Sequence, residues 1–134
     1  MRLTIVRGLP GSGKSTFAKE KFPGILHLEN DMLHMADGKY QFVESKAGPR
    51  QVLLRELCSL AIENGSDVVV SNVFVSRRAV DIYRAIAEVH GAEFKVYRMD
   101  NDFGNVHNVP AKVYACMHKD FQDYPGEEVV KSNG

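Results

Sequence analysis

The sequence predicts an α/β protein in which a parallel sheet is covered by helices on both faces. Short apolar runs alternate with stretches of helical periodicity, which is typical of parallel sheets. A glycine-rich motif, Gly8 to Ser15, directly follows the first apolar run. The chain has 134 residues, of which 44% are hydrophobic and 25% are charged, enough for one globular domain. We predict that residues 1–124 form this domain and that residues 125–134 are a loosely ordered tail.

The predicted strands are short, continuous and apolar, as expected when both faces of a parallel strand are buried. They run from Leu3 to Arg7, Ile25 to Leu28, Val68 to Val70 and Phe94 to Arg98. The predicted helices lie between and after them, at residues 13–21, 45–63, about 79–89 and 110–121. In the second helix, apolar residues recur at helical spacing: Val52, Leu53, Leu57, Leu60 and Ala61.

Charge, hydropathy and cysteine use exclude several classes of protein. The 17 basic and 17 acidic residues give zero net charge, so binding to nucleic acid or membranes by bulk charge is not expected. No stretch approaches the roughly 20 apolar residues of a membrane span, and we expect a cytoplasmic protein. Cys58 and Cys116 are expected to be buried free thiols. The histidines and cysteines lack metal-ligand spacing, so we expect no zinc.

The glycine-rich motif predicts a triphosphate site. Residues 8–15 read GLPGSGKS and fit the pattern G-x-x-x-x-G-K-[ST] between a strand and a helix. Glycines let backbone N–H groups turn inward, and the helix N-terminus adds partial positive charge. Lys14 is expected to reach the β- and γ-phosphates of ATP, and the Ser15 hydroxyl to ligate Mg²⁺. The predicted nucleotide-binding residues here are Pro10, Gly11, Ser12, Gly13, Lys14, Ser15 and Thr16.

The end of the second strand carries a candidate general base. Ligands bind at the carboxyl ends of the strands in open α/β sheets, so Asp31 is expected to project toward the phosphate site. Its carboxylate could accept the proton of an attacking hydroxyl. Two alternatives remain: Asp31 could simply be an acidic residue in a first helical turn, or Glu29 could be the base.

The end of the third strand carries Asn72, where many P-loop enzymes have an aspartate that holds Mg²⁺ or its water. Asn72 is neutral, so we expect it to reach the metal only through a water. Arg77 and Arg78 follow, either as phosphate contacts or as a solvated helix start.

A polar loop before the last helix is the candidate lid over the nucleotide. It spans residues 102–110 and contains His107, and the helix after it carries Lys112. His107 is interpreted either as a nucleotide contact or as an ordinary surface residue.

Together these motifs resemble the polynucleotide 5′-hydroxyl kinase family, including its small phage-type, AAA-like ATP-binding members. The resemblance covers roughly residues 2–122 and rests on the phosphate loop, Asp31, the strand end at Val70 to Asn72 and the lid from Asn105 to Pro110. It implies a nucleoside-monophosphate-kinase-like sheet with strand order 2-3-1-4. It also implies that Asp31 activates the 5′-hydroxyl of a nucleic acid.

The chain departs from the family pattern at three positions. Asn72 stands where the family has aspartate, Gly104 lies near the place of a lid arginine, and His34 replaces an arginine that contacts the substrate. Phosphoryl transfer needs a cation near the transferred group. We therefore expect Arg77, Arg78 or Lys112 to act as the substitute catalytic cation.

Three functions follow as hypotheses. The first is a kinase that transfers the γ-phosphate of ATP to a hydroxyl, with a nucleic-acid 5′ end as the leading acceptor. The second is a kinase for a small metabolite or nucleoside. The third is a nucleotide-binding regulatory protein with weak ATPase activity, in which the changes at Asn72 and Gly104 mark lost catalysis.

Overall fold

The computed structural model describes residues 1–29, 35–36, 39–40, 44–101 and 110–131. Its strands are β1 (Arg2–Arg7), β2 (Leu26–Leu28), β3 (Met35–Ala36), β4 (Lys39–Tyr40), β5 (Val68–Asn72), β6 (Glu93–Met99) and β7 (Glu128–Val130). Its helices are α1 (Lys14–Lys21), α2 (Glu44–Glu63), α3 (Arg77–Val89) and α4 (Ala111–Asp120).

Five strands form one parallel sheet in the order β2-β5-β1-β6-β7. This confirms the predicted parallel sheet and its order 2-3-1-4, to which β7 adds a fifth strand. β3 and β4 form a separate antiparallel pair. Because β1 has a strand on either side, the loop that follows it lies at the middle of the carboxyl edge of the sheet.

The two faces of the sheet are covered by different helices, as predicted. Successive residues of a strand point to opposite faces. Leu3 and Ile5 of β1 belong to the core cluster that includes buried residues of α2 and α3. Val6 belongs to a second cluster, with Ala18 of α1 on the other face. The phosphate-loop helix α1 therefore lies on one side of the sheet, and α2 and α3 lie on the other.

Helix α2 begins and ends where the sequence predicts, but its buried face is different from the recurring apolar set. The buried residues are Leu54, Cys58 and Ile62, at intervals of four. Most of the set used to predict the helix is 39–56% exposed: Val52, Leu53, Leu57 and Leu60. Apolar residues surround much of this helix, so periodicity identifies it without selecting the face that packs.

Helices α3 and α4 differ in how they pack. Ser76 caps α3, because its hydroxyl accepts a hydrogen bond from the Ala79 amide at 3.2 Å, and the helix buries Val80, Tyr83 and Ala87. Helix α4 follows Pro110, as predicted, and buries no residue. Its Cys116 is exposed, which differs from the prediction of two buried thiols, whereas Cys58 of α2 is buried. No helix in the described part of the chain is long and apolar enough to cross a membrane.

The segment after Pro125 forms an edge strand, which differs from the predicted loosely ordered tail. Strand β7 pairs with β6 in parallel, with Tyr97 opposite Glu128 and Met99 opposite Val130. The segment is held by long-range partners: Glu127 forms an ion pair with Arg7 at 2.7 Å. Local sequence gives no sign of such contacts, and only residues 132–134 lie outside the described chain here.

Candidate active site

The glycine-rich motif forms a tight turn between β1 and α1. Gly11 and Gly13 have φ values of 81° and 87°, a region that other residues rarely adopt. Gly13 is the N-cap of α1 and, as a glycine, has no side chain with which to cap this helix start. The first N–H groups of a helix have no partner within the helix, and the helix dipole favours an anion there. The motif therefore has the backbone of a phosphate loop.

The inside of this turn has room for no side chain at Gly8. A Cβ atom at that position would lie 2.5 Å from Ser12 Oγ and 2.9 Å from the backbone oxygen of Met99. Ser12 is buried, and within the described residues its hydroxyl has no hydrogen-bond partner. A buried hydroxyl without a partner costs about 1–3 kcal/mol. An unpaired hydroxyl inside a phosphate loop fits an anionic ligand.

Lys14, the first residue of α1, contacts the loop that it follows. Its Nζ donates a hydrogen bond to the backbone oxygen of Leu9 at 3.0 Å. Ser15 is half-buried and Thr16 is exposed in the same first turn, and Pro10 is buried on the loop. An ammonium and hydroxyls at the start of one helix suit the binding of a nucleoside triphosphate and its Mg²⁺, because the ammonium can contact the phosphates and Mg²⁺ prefers oxygen ligands.

Asn72 lies beside the phosphate loop at the end of β5. It is opposite Arg7 in the register of β1 and β5, one residue before Gly8. The Gly8 amide donates to the Val73 oxygen at 3.3 Å, which joins the loop to the turn after β5. The backbone of Asn72 therefore lies in the strand next to the loop, and the water-mediated role of its carboxamide at a metal stays a prediction.

A hydrogen-bonded group of three side chains joins the ends of β2 and β5. His27 Nε2 lies 2.5 Å from Ser71 Oγ, and the Ser71 hydroxyl donates to Glu29 Oε2 at 3.0 Å. His27 Nε2 is 3.6 Å from the same carboxylate oxygen. Burial lowers the pKa of His27, an effect that the charge of Lys19 reinforces and that of Glu29 opposes. Glu29 is therefore already engaged by Ser71, which weakens its candidacy as the base.

Arg7 is the residue of this region that sequence reasoning missed. The sequence identifies it only as the end of a predicted strand, whereas its side chain is fully buried in the structure. Its guanidinium donates to the Phe74 and Gln122 oxygens and to Glu127. An arginine in a strand otherwise suited to burial was the available signal, because charged residues are almost never fully buried unless paired.

The three predicted catalytic cations lie in the first turns of two helices. The Arg77 amide donates to Gln122 Oε1 at 2.8 Å, and its Nε donates to the Asp123 oxygen at 2.7 Å. Arg77 therefore holds the segment after α4. Arg78 and Lys112 are exposed second residues of α3 and α4.

Several predicted site residues lie outside the described part of the chain. They are Asp31, His34, Gly104 and His107. The strand from which Asp31 extends is described as far as Glu29, at the same edge of the sheet as the phosphate loop.

Comparison with known sequences agrees with this architecture. The sequence model of a family described as an AAA domain matches residues 3–102. An uncharacterized protein from Pasteurella multocida (strain Pm70) is 34% identical over an alignment of 144 positions, covering 96% of this chain and 80% of that protein.

Solved structures of two kinases and of a larger complex share the fold. A gluconokinase from Sinorhizobium meliloti 1021 has a TM-score of 0.68 at 16% identity, with 98% of this chain and 82% of that chain covered. The APS kinase CysC of Mycobacterium tuberculosis, in complex with AMPPNP and APS, has a TM-score of 0.66 at 18% identity, with 99% and 89% covered. A chain of the Pnkp1/Rnl/Hen1 complex has a TM-score of 0.61 at 17% identity, with 86% and 38% covered.

Proposed function

Because this chain belongs to the family described as an AAA domain and has a P-loop kinase-like fold, we propose that it is an ATP-dependent kinase that phosphorylates a hydroxyl group. The observation that best supports the proposal is the structure of the phosphate loop. Its Ser12 hydroxyl is buried without a partner in the described chain, and its Gly8 leaves no room for a Cβ atom. A merely structural turn has no need of an unpaired hydroxyl turned into its interior.

The residues of the proposed site would have separate roles in phosphoryl transfer. The acceptor oxygen forms a bond to the γ-phosphorus, the bond from that phosphorus to the β–γ bridging oxygen breaks, and ADP leaves. Lys14 would exchange its bond to the Leu9 oxygen for the phosphates. Mg²⁺, held by Ser15 and through water by Asn72, would neutralise phosphate charge. Asp31 would take the proton from the acceptor hydroxyl.

A positively charged group must stabilise the negative charge that develops on the γ-phosphoryl group in the transition state. Arg77, Arg78 and Lys112 are the candidates, since a lid arginine is missing at Gly104. Positive side chains are disfavoured by the helix dipole in the first turn of a helix, where all three lie. Their placement costs stability locally, and binding of a phosphate would offset this cost.

We propose the 5′-hydroxyl of a nucleic acid as the leading acceptor. The proposal rests on the resemblance of Asp31, the Asn72 strand end and the His107 loop to polynucleotide kinases. The likeness to a chain of the Pnkp1/Rnl/Hen1 complex supports it at the level of fold.

A small metabolite is the second candidate acceptor. The gluconokinase and APS kinase structures match this chain over most of their own length, whereas the Pnkp1/Rnl/Hen1 chain is much longer than the matched part. The third candidate, a regulatory nucleotide-binding protein, is favoured by Asn72, which lacks the charge of the usual aspartate.

The experiment is a transfer screen with γ-labelled ATP. The acceptors are 5′-hydroxyl DNA and RNA oligonucleotides, nucleosides, sugars and adenylyl sulfate, and Lys14→Ala is the inactive control. Label on an oligonucleotide supports the leading proposal, and label only on a small acceptor supports the second. Nucleotide binding without transfer to any acceptor supports the regulatory protein.

A further inference from the structure

Arg7 is a fully buried cation directly before the phosphate loop. Its side chain is 0% exposed, and its partner Glu127 is 7% exposed. Burial lowers the pKa of the Arg7 guanidinium, and the hydrogen bond and charge of Glu127 oppose this effect. A charge removed from water in this way is costly unless its partners are fixed in place.

The guanidinium of Arg7 joins the turn after β5 to two points of the segment that follows α4. Nε and Nη2 donate to the Phe74 oxygen at 3.2 and 2.6 Å, in the turn after β5. Nη2 also donates to the Gln122 oxygen at 2.7 Å, just after α4. Nη1 donates to Glu127 Oε1 at 2.7 Å, just before β7. These four hydrogen bonds come from three nitrogens spread over a planar fork, a geometry that a lysine, with its donors on a single nitrogen, does not reproduce.

An aromatic ring completes this cluster. The Arg7 guanidinium lies 4.2 Å from the centre of the Phe121 ring, and the Arg98 guanidinium lies 4.8 Å from it. Arg98 also forms ion pairs with Asp123 and, at 3.4 Å, with Glu127. Residues 121–127, which we call the C-terminal strap, are therefore fixed to the ends of β1 and β6.

Arg7 also holds a strained turn beside the phosphate loop. Phe74 has a φ of 49°, in the left-handed region that is uncommon for a residue other than glycine. Such a conformation persists only where its surroundings over-determine it, and such residues cluster at functional sites. Here Arg7 binds the Phe74 oxygen twice, and Gly8 binds the oxygen of Val73. The same turn begins immediately after Asn72.

We propose that Arg7 is a positioning residue of the nucleotide site, through which the C-terminal strap sets the geometry of the phosphate loop and of Asn72. Arg7 does not touch the nucleotide; it acts through Gly8 and the turn at Phe74. The inference rests on nucleotide binding at the proposed site, and it is independent of which acceptor is phosphorylated. Coupling between two sites is reciprocal, so a nucleotide must also stabilise the strap.

The matched control is Arg2, at the opposite end of the same strand. Arg2 also forms an ion pair with a glutamate, Glu93 at 2.9 Å, but both side chains are more than half exposed. Arg2→Lys removes an arginine–glutamate fork from β1 far from the phosphate loop. A general effect of weakening β1 would appear in both variants, whereas a positioning effect would appear only in Arg7→Lys.

The test measures AMPPNP affinity by calorimetry and amide hydrogen exchange by NMR, well below the unfolding temperature of each variant. The reporters are the Gln122 amide, which binds the Val75 oxygen, and the Tyr124 amide, which binds Glu127. In the wild type, AMPPNP should slow exchange at both. In Arg7→Lys, we expect the affinity for AMPPNP to fall about tenfold and this slowing to disappear. A change of about tenfold is within the usual range for coupling between two sites. Arg2→Lys should behave as the wild type.

If Arg7→Lys does not fold, Glu127→Gln takes its place, because it keeps the shape of the acceptor and removes its charge. Wild-type affinity together with unchanged slowing in a folded Arg7 or Glu127 variant would overturn the inference. Failure of the wild type to phosphorylate any acceptor would contradict the proposed kinase activity alone, since both readouts need only the nucleotide. Failure of the wild type to bind AMPPNP would overturn the inference and the nucleotide site together.

Discussion

Gly8 and Gly48 differ in the space around them, and alanine substitution should therefore affect the stability of the protein differently at the two positions. A Cβ atom at Gly8 would lie 2.5 Å from Ser12 Oγ and 2.9 Å from a backbone oxygen. At Gly48, within α2, no described residue beyond the chain neighbours and the backbone of the helix itself lies within 4 Å of such an atom. We expect Gly8→Ala to lower the unfolding temperature and weaken nucleotide binding. Gly48→Ala should change the unfolding temperature much less, because the usual gain of alanine in a helix interior is opposed by the contact of its Cβ with the Pro49 ring. Thermal unfolding of both variants checks this, and equal effects would contradict the close approach inside the loop.

Lys14 should contribute affinity for the nucleotide and little to the fold. Its contact with the Leu9 oxygen lies within the loop, and charge-assisted bonds to phosphate are roughly twice as strong as neutral ones. Lys14→Ala should therefore weaken ATP binding in calorimetry while the unfolding temperature changes little. Lys19→Ala, at an exposed position of the same helix, is the control. Unchanged ATP affinity in Lys14→Ala would refute the site.

At the residue scale the sequence predicts what local chemistry determines. The spacing of Gly8, Gly13, Lys14 and Ser15 predicts the phosphate loop, because its function requires those residue types at those positions. Arg7 could not be assigned in the same way. Its partners lie 67 to 120 residues away in the chain, at Phe74, Gln122 and Glu127.

At the scale of elements, the ends of β2 and β5 are linked by a group that should titrate. Burial lowers the pKa of His27 below its ordinary value of 6.5. The negative charge of Glu29 opposes this shift, and the positive charge of Lys19 reinforces it. Below about pH 6.5 the unfolded chain therefore takes up a proton that the folded chain does not. The free energy of unfolding should therefore fall as the pH falls from about 7.5 to 5.5. The stability that the neutral His27 contributes is fully present only above the pKa of histidine in the unfolded chain.

Urea unfolding at about pH 7.5 and 5.5 measures this effect. His27→Gln should reduce the difference in stability between the two pH values, because it removes the group that resists protonation. His118→Gln, at an exposed position of α4, should leave the difference unchanged. An equal pH dependence in the wild type and in His27→Gln would contradict a buried neutral histidine at this position.

The helix starts carry the candidate transition-state cations. Single alanine variants of Arg77, Arg78, Lys112 and His107 should include at least one in which kcat falls about a hundredfold, the size of one lost electrostatic donor. Because Arg77 also binds Gln122 and Asp123, its unfolding temperature must be measured beside its kcat. Full turnover in all four variants would place the compensating cation elsewhere.

Elements differed in how far the sequence could predict them. Strands β1 and β5 were predictable because continuous apolar runs are typical of strands buried on both faces. The packing face of α2 was not, because Leu53 and Leu57 are as apolar as the buried Leu54 and Cys58. Strand β7 was missed because its pairing with β6 and the ion pair of Glu127 are non-local.

At the scale of the whole molecule, the sheet brings separate parts of the chain to one edge. The order β2-β5-β1-β6-β7 places the end of β5 next to the loop after β1, and the end of β2 one strand further along the same edge. Glu29, Asn72 and Gly8 come from distant parts of the sequence and lie along the same carboxyl edge because all three strands are parallel. This arrangement is what makes Asp31, two residues after Glu29, the leading candidate for the base.

The measurement that tests the kinase proposal most directly is phosphoryl transfer by Asp31→Asn, measured beside its ATP affinity. Asparagine keeps the shape of aspartate and loses its basicity, and a general base contributes about 10²–10⁴-fold to the rate. We predict that transfer to the accepted hydroxyl falls by that factor while ATP affinity stays nearly unchanged. Glu29→Gln is the matched comparison, and it should have the smaller effect because Ser71 already engages that carboxylate. Transfer at the wild-type rate by Asp31→Asn would contradict the assignment of the base, and a wild type that binds ATP but phosphorylates no acceptor would contradict the kinase itself.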